Sequence, residues 1–249
     1  MSSDILYKYV DLKAGINKIL IDKTIKFTNP IEFNDPFDCD EDLIHLNITE
    51  KFLCEFISQT QPNKNREERR KLQKEISNDK KRFMAIFNDM LKKQKEQFRV
   101  SCFSKTESEI LMWSHYADKH GGMCIGFEKS GFERNPDFAP AEVRYLNDFK
   151  PYEYDMDNIE AFKGWLTTKS ERWFYEKEVR LINNKRKEII SFDKKHVKEV
   201  IFGIKVCESE IIKVIKNLIK EGYNHTEFYK MEKEKNYFRL NKNKINSYT

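Results

Sequence analysis

The chain has 249 residues, of which 39% are hydrophobic and 35% are charged, and its formal net charge is +5. This length is enough for one large domain, or two small ones, with a sizeable buried core. The sequence has no run of the ~20 apolar residues that cross a bilayer, and its N-terminus lacks the pattern of a secretory signal. These features predict a globular protein and exclude a membrane-spanning one.

Five cysteines are scattered along the chain at positions 39, 54, 102, 124 and 207, without a Cys-x-x-Cys pair. An odd, dispersed set is typical of reduced thiols rather than of a disulfide framework or a zinc site. We therefore expect a cytoplasmic protein without a structural metal.

Strand and helix patterns follow one another without a steady βαβ alternation. Strand patterns cover residues 5–10, 24–30, 98–105, 123–128, 141–146, 172–181, 197–206 and 226–240. Helix patterns cover residues 12–23, 47–98, 108–120, 158–172 and 209–222. This order predicts an α+β fold with a mixed or antiparallel sheet, forming one domain over residues 1–249.

Polar pairs at the spacing of helix caps mark three helix starts: Asn47 with Glu50, Asn65 with Glu68, and Thr106 with Glu109. Gly121 and Gly122 predict a left-handed helix end.

A strongly charged helical segment over residues 47–98 is predicted to be an insertion in this domain. It is either a surface hairpin without a special role or a docking face or lid. Much of the basic excess lies here and in the C-terminal stretch "KMEKEKNYFRLNKNKIN". Such a surface attracts nucleic acid, although solvated lysine-rich helices have the same composition.

The stretch "RWFYEKEVRL", residues 172–181, alternates along a predicted strand. One face carries Trp173, Tyr175, Val179 and Leu181 and is predicted to belong to the core. The other face carries the row Glu176, Glu178 and Arg180. This row is either an exposed strand face with Glu–Arg pairing, or a site where adjacent carboxylates raise a pKa for acid–base chemistry.

Other reactive residue types are concentrated in "MWSHYADKHGG". His115 and His120 are five residues apart, which separates them on a helix and disfavours metal chelation. Tyr116 and His120 share one face, either as hydrogen-bonded core residues or facing the same cleft as Glu178.

The loop "FNDPFDCDED" is predicted to be a structural turn in which Asn34 or Asp35 reaches a ligand, because it lacks the spacing of a calcium loop. Rossmann, P-loop and H-E-x-x-H motifs are absent from the chain.

Several stretches together resemble a family of mostly uncharacterised bacterial proteins found near phage-defence and toxin genes. They are "LYKYV", "FTNPIEFNDPFDCDED", "VSCFS", "LMWSHYADKHGGMCIGFE", "VRY", "FYEKEVRL" and "VIFG". Their order and spacing extend over nearly the whole chain.

The chain also resembles the ADP-ribosyltransferase fold. That fold has a first strand with Arg or His, a second with Ser or Thr, and a later strand ending in a catalytic Glu, in one branch Glu-x-Glu. The resemblance maps Thr28 of "KFTNP" to the second strand and Glu176 and Glu178 to the third. Tyr7, Lys8 and Tyr9 stand where the first strand carries Arg or His.

The resemblance implies NAD as the substrate and a role for each site residue. Glu178 would stabilise an oxocarbenium-like transition state, and Glu176 would orient or deprotonate the acceptor. Lys8 or Arg180 would neutralise the phosphates. Nicotinamide would stack on Tyr9, Tyr116 or Phe174. A ribose hydroxyl would be held by His115 or His120. The predicted NAD site also includes Tyr7, Thr28 and Asn34.

The leading hypothesis is therefore an NAD-dependent ADP-ribosyltransferase acting as a toxin or anti-phage effector on RNA, DNA or protein, with a possible antitoxin partner. The alternative is a non-catalytic binding module, a sensor or antitoxin-like partner, whose charged helices form the interface. A metal-dependent nuclease is a third class, with Asp35, Asp38 and Asp40 as its sole carboxylate cluster.

Overall fold

The computed structural model describes residues 5–133, 135–154 and 159–246, and these residues divide into two units. The first unit consists of Met1–Thr28, Phe98–Val143 and Glu171–Thr249, and the second of Asn29–Gln97 and Arg144–Ser170. Among the described residues, no helix combines the length and hydropathy that a bilayer crossing requires.

An open sheet, with eight strands among the described residues, forms the first unit. In spatial order its strands are Leu240–Lys244, Glu227–Lys233, Val197–Phe202, Met123–Glu128, Ile5–Val10, Arg99–Ser104, Glu178–Asn183 and Ala139–Glu142. All its strand pairs are antiparallel except the pair Val197–Phe202 with Glu227–Lys233. The predicted α+β class with a largely antiparallel sheet is confirmed.

Three strands of this sheet position the candidate site. They are named here the first strand (Ile5–Val10), the serine strand (Arg99–Ser104) and the glutamate strand (Glu178–Asn183). The serine strand lies between the other two. Because strand side chains alternate, each of the three contributes residues to both faces of the sheet.

The two faces of the sheet have separate hydrophobic clusters. Leu6, Phe103 and Val179 belong to the larger cluster, which also includes the buried side of helix Glu208–Lys220. On the opposite face, Tyr7 and Tyr9 pack with the helix Ile110–Tyr116, called here the cover helix.

The remaining elements of the first unit are short. They are the helices Leu12–Ala14 and Ser130–Glu133, the π-helix Gly15–Ile21, the 3-10 segments Asp118–His120, Glu171–Glu176 and Lys194–His196, and the paired strands Thr24–Lys26 and Ile189–Ser191.

The second unit is mainly helical. Its helices are Glu50–Thr60, Arg66–Asn78, Lys80–Lys95 and Ile159–Thr167, and its 3-10 segments are Pro30–Glu32 and Glu41–Leu43. Two parallel strand pairs complete it, Ile44–His45 with Tyr152–Glu153 and Arg144–Leu146 with Thr168–Ser170.

The helical character predicted for residues 47–98 is confirmed. Its helices pack through buried side chains such as Phe52, Phe87 and Leu91, and Trp165 from the later helix joins the same core. The second unit takes in more of the chain than the predicted insertion, since it also contains residues 29–46 and 144–170.

Two of the predicted helix caps are wrong. Thr49, not Asn47, caps the first helix of the second unit, because its hydroxyl accepts the Phe52 N–H at 3.1 Å. The cover helix begins at Ile110 after Glu109, without a side-chain cap from Thr106. The predicted left-handed end at Gly121 is also wrong, because its φ is −93°.

The third predicted cap, Asn65, is confirmed as a complete capping box. Its side chain accepts the N–H groups of Glu67 and Glu68 at 3.0 Å, and the Glu68 carboxylate accepts the Asn65 N–H at 2.8 Å. These bonds satisfy amides that would otherwise lack partners at the helix start.

We expect Asn65→Ala to lower the free energy of unfolding by about 1 kcal/mol, because it removes the side-chain acceptor of this cap. Urea denaturation measures the effect. Asn78→Ala is the matched control, because Asn78 is an exposed residue at the far end of the same helix. An Asn65→Ala loss no larger than that of the control would contradict the prediction.

Candidate active site

The glutamate strand begins later than the sequence pattern predicts. Residues Glu171–Glu176 form a 3-10 helix, and Lys177 adopts a left-handed backbone with φ 44° before the strand starts at Glu178. The predicted strand over 172–177 is therefore wrong, and Glu176 does not share a strand face with Glu178. The predicted core face holds for Val179 and Leu181 but not for Trp173 and Tyr175, which are only half-buried.

Glu178 and Arg180 point away from the larger core but are not exposed. Their relative exposures are 4% and 0%, so the reading of this row as a solvent-facing strand surface is wrong. The Arg180 Nε donates to Glu178 Oε1 at 2.9 Å, and its Nη2 donates to Oε2 at 3.1 Å. This two-bond fork fixes the plane of the Glu178 carboxylate.

A row of three residues crosses the sheet at this point. Ser104 of the serine strand lies directly opposite Glu178 on one side and Tyr7 on the other. Directly opposed residues of antiparallel strands have Cβ atoms about 5 Å apart and point to the same face. Tyr7, Ser104 and Glu178 are called here the site row.

Ser104 is a candidate site residue that the sequence analysis missed. It is buried, and its hydroxyl donates to the main-chain carbonyl of Glu176 at 2.6 Å. The signal is present in "VSCFS", a strand pattern ending in Ser, whereas the resemblance assigns the second-strand role to Thr28.

Glu176 is held beside the site row by the cover helix. The Tyr116 hydroxyl donates to Glu176 Oε1 at 2.7 Å, and the Glu176 side chain is buried. The structure thus joins two predicted site residues, Tyr116 and Glu176. His115, the neighbour of Tyr116, is exposed, with its ring centroid 6.5 Å from that of Tyr175.

Tyr7 and Tyr9 lie on the site face of the first strand, and both hydroxyls have partners. Tyr7 donates to Glu199 Oε1 at 2.7 Å, and Tyr9 donates to the Thr106 carbonyl at 2.9 Å. Burial raises the pKa of both phenols, so they are neutral donors at physiological pH. The Tyr9 ring packs edge-on against Trp113, with centroids 5.3 Å apart.

Lys8 alternates to the opposite face of the first strand from Tyr7 and Tyr9. Its amine donates to Ser101 Oγ at 3.0 Å and to the Cys102 carbonyl at 2.9 Å. Burial lowers the pKa of this amine. Lys8 thus joins the first strand to the serine strand.

Thr28 lies away from the site row along the sheet. Thr28 forms an isolated bridge with Val100, four residues along the serine strand from Ser104, which corresponds to about 13 Å. Asn34 is an exposed residue of the second unit, whereas the site row belongs to the first.

The acidic loop of the second unit has the predicted structural role. Asp35 Oδ1 accepts the Phe37 N–H, and Asp40 caps the 3-10 segment Glu41–Leu43. Asp38 is buried, 3.5 Å from the Lys169 amine. Within the described ranges, no group of three His, Cys, Asp or Glu residues is arranged to hold a metal ion.

Comparison with known families adds one match. A family model described as a protein of unknown function, DUF2971, matches residues 112–181. The matched range runs from the cover helix into the glutamate strand, so it contains Tyr116, Glu176, Glu178 and Arg180. It covers less than half of the chain and agrees with the resemblance to an uncharacterised family. No curated protein and no solved structure matches the chain.

Proposed function

We propose that the chain is an NAD-dependent ADP-ribosyltransferase that acts as a toxin or anti-phage effector on a macromolecular acceptor. The observation that carries this proposal is the site row, in which a Glu, a Ser and a Tyr lie side by side on three neighbouring strands. The ADP-ribosyltransferase fold, which the chain resembles, likewise distributes its site over a first strand, a Ser or Thr strand and a Glu strand.

Glu178 has the environment that stabilisation of a cation requires. Cleavage of the nicotinamide–ribose bond develops positive charge on the ribose, and a fixed carboxylate stabilises that charge best in a site that excludes water. Glu178 is buried and oriented by Arg180. A carboxylate has about four acceptor positions, so it can bond several groups at once. We assign Arg180 to orienting Glu178 rather than to binding the cofactor's phosphates.

Ser104 and Glu176 would act on either side of Glu178. Ser104 lies opposite Glu178 in the site row and so would contact the same sugar. Glu176 accepts a hydrogen bond from Tyr116, which fixes the position of its carboxylate. In this proposal Glu176 receives the acceptor's proton as the new bond to ribose forms.

A transfer assay tests the proposal. Purified full-length protein is incubated with NAD labelled in its adenylate part and with bacterial extract, and nicotinamide release is measured alongside label in macromolecules. We expect both signals, and pretreatment of the extract with ribonuclease, deoxyribonuclease or protease identifies the acceptor class. Absence of both signals relative to heat-denatured protein would contradict the proposal.

A non-catalytic binding module is the second candidate, and one observation favours it. The helix Arg66–Asn78 has no fully buried residue; Ile76 packs against the core of the second unit, and most of the other side chains form a broad, charged, exposed surface. This candidate predicts that Lys71→Glu with Lys74→Glu abolishes capture of a partner, whereas Glu176→Gln leaves capture unchanged. The transferase proposal predicts that Glu176→Gln alters transfer and leaves the fold intact.

A further inference from the structure

The tip of the last hairpin exposes two adjacent aromatic side chains. Residues 234–239, called here the hairpin tip, join the strands Glu227–Lys233 and Leu240–Lys244 at one end of the sheet. Phe238 is 99% exposed and Tyr237 is 60% exposed. Within the described part of the first unit, the Phe238 ring is not packed against other side chains, so it has no role in the core.

The hairpin is also strongly basic. Residues 227–244 contain six lysine or arginine residues against three glutamates. Two of the hairpin's lysines are in ion pairs, since Lys244 pairs with Glu227 and Lys242 pairs with Glu199 and Glu107. Among the described residues, the cations at positions 233, 235 and 239 make no ion pair. Together with Lys230, these cations outnumber Glu232 and Glu234, so the tip region carries a net positive charge.

Protection of the sheet edge explains only part of this surface. Lysines on an edge strand such as Leu240–Lys244 discourage strand pairing with other chains. Exposed aromatic rings have the opposite effect, so edge protection does not account for Tyr237 and Phe238. The combination of exposed rings with free cations calls for a partner that offers both flat apolar faces and negative charge.

The backbone of the hairpin tip forms a hydrogen-bonded turn. The Glu234 N–H donates to the Arg239 carbonyl at 3.1 Å, the Tyr237 N–H donates to the Glu234 carbonyl at 3.3 Å, and Asn236 supplies the left-handed residue with φ 69°. The Arg239 guanidinium lies 5.4 Å from the centroid of the Tyr237 ring. A preorganised tip loses little conformational freedom when a ligand binds.

We propose that the hairpin tip binds single-stranded nucleic acid, with Tyr237 and Phe238 stacking on bases and the neighbouring cations contacting phosphates. Unpaired bases present the flat apolar faces that such rings stack on, and every base has one, so binding of this kind tolerates sequence. Paired bases in a duplex are already stacked and do not offer these faces. The inference goes beyond the proposed transferase, because it requires no NAD and no contribution from the site row.

The test is fluorescence anisotropy of the full-length protein with a labelled mixed-sequence oligoribonucleotide of about 15 nucleotides, in the absence of NAD. The double variant Tyr237→Ala with Phe238→Ala is expected to weaken binding about ten-fold or more. Phe37→Ala is the matched control, because Phe37 is 76% exposed but lies in the acidic loop, and it is expected to bind as the wild type does.

Two further measurements distinguish this site from general electrostatic attraction. Lys233→Gln with Lys235→Gln is expected to reduce the dependence of affinity on salt. The duplex form of the same oligonucleotide is expected to bind more weakly than the single strand. The proposal is overturned if the wild type does not bind the single strand, if the double alanine variant binds as tightly as the wild type, or if the wild type binds only anionic vesicles.

Discussion

The free energy of unfolding of the Arg180→Met variant is expected to be about 3–5 kcal/mol lower than that of the wild type. Arg180 is fully buried and makes two hydrogen bonds to the buried Glu178 carboxylate. Methionine fills a similar volume but removes the guanidinium from beside that buried carboxylate. Urea denaturation followed by circular dichroism measures the loss.

The double variant Glu178→Met with Arg180→Met is expected to recover most of this loss. Replacing a buried ion pair as a whole by apolar residues of similar size is often neutral in stability, because the two opposite charges are removed together. Equal destabilisation by the single and the double variant would contradict the interpretation of the pair as a coupled unit. Val179→Ala on the same strand provides a comparison that changes packing but not charge.

The Glu178→Gln variant is expected to release nicotinamide from NAD about 10²–10³-fold more slowly than the wild type. Glutamine keeps the shape of the side chain and an acceptor for Arg180, but it lacks the negative charge that stabilises the developing ribose cation. Initial rates are measured with bacterial extract present, at concentrations of folded protein matched by circular dichroism.

Glu142→Gln is the control for this effect. Glu142 lies on the neighbouring edge strand opposite Val179, is exposed, and pairs with Lys105 at 2.7 Å. It is therefore expected to keep the wild-type rate. If both variants lose activity to the same degree, the effect is a general one of charge and Glu178 has no special role.

The sequence predicts the sheet well where local pattern and tertiary packing agree. In the first strand, Leu6 faces one core while Tyr7 and Tyr9 face the other, as period-two alternation requires. The helix predicted over residues 209–222 forms as Glu208–Lys220, and its apolar residues Ile211, Ile215 and Leu218 are buried.

The start of the glutamate strand was not predictable from local pattern. Trp173, Phe174 and Tyr175 are strand-forming residue types, yet they lie in a 3-10 helix. Tertiary hydrogen bonds hold this segment, since the Glu176 carbonyl accepts from Ser104 Oγ and the Lys177 carbonyl accepts from the Lys105 N–H. Contacts between such distant parts of the chain leave no local periodic signal.

The candidate site could be predicted only in part, because it too depends on contacts between distant parts of the chain. Glu178 and Arg180 were identified from their spacing, but their burial depends on what covers the sheet rather than on the strand itself. Ser104 was missed because its neighbours in the sheet, Tyr7 and Glu178, are far from it in sequence. Only the order of strands in the sheet brings these three residues together.

The central claim is that the carboxylate of Glu178 drives cleavage of NAD, and the double variant Glu178→Met with Arg180→Met tests it most directly. This variant is expected to fold like the wild type, so a change in rate does not arise from unfolding. The measurement is nicotinamide release from NAD by equal amounts of folded wild-type and double-variant protein in the presence of extract. The proposed function predicts that the wild type releases nicotinamide and that the double variant releases it at least about a hundred-fold more slowly. This factor is the lower end of the effect of removing one electrostatic group from an active site. Equal release by the two proteins, or none by the wild type, would contradict it.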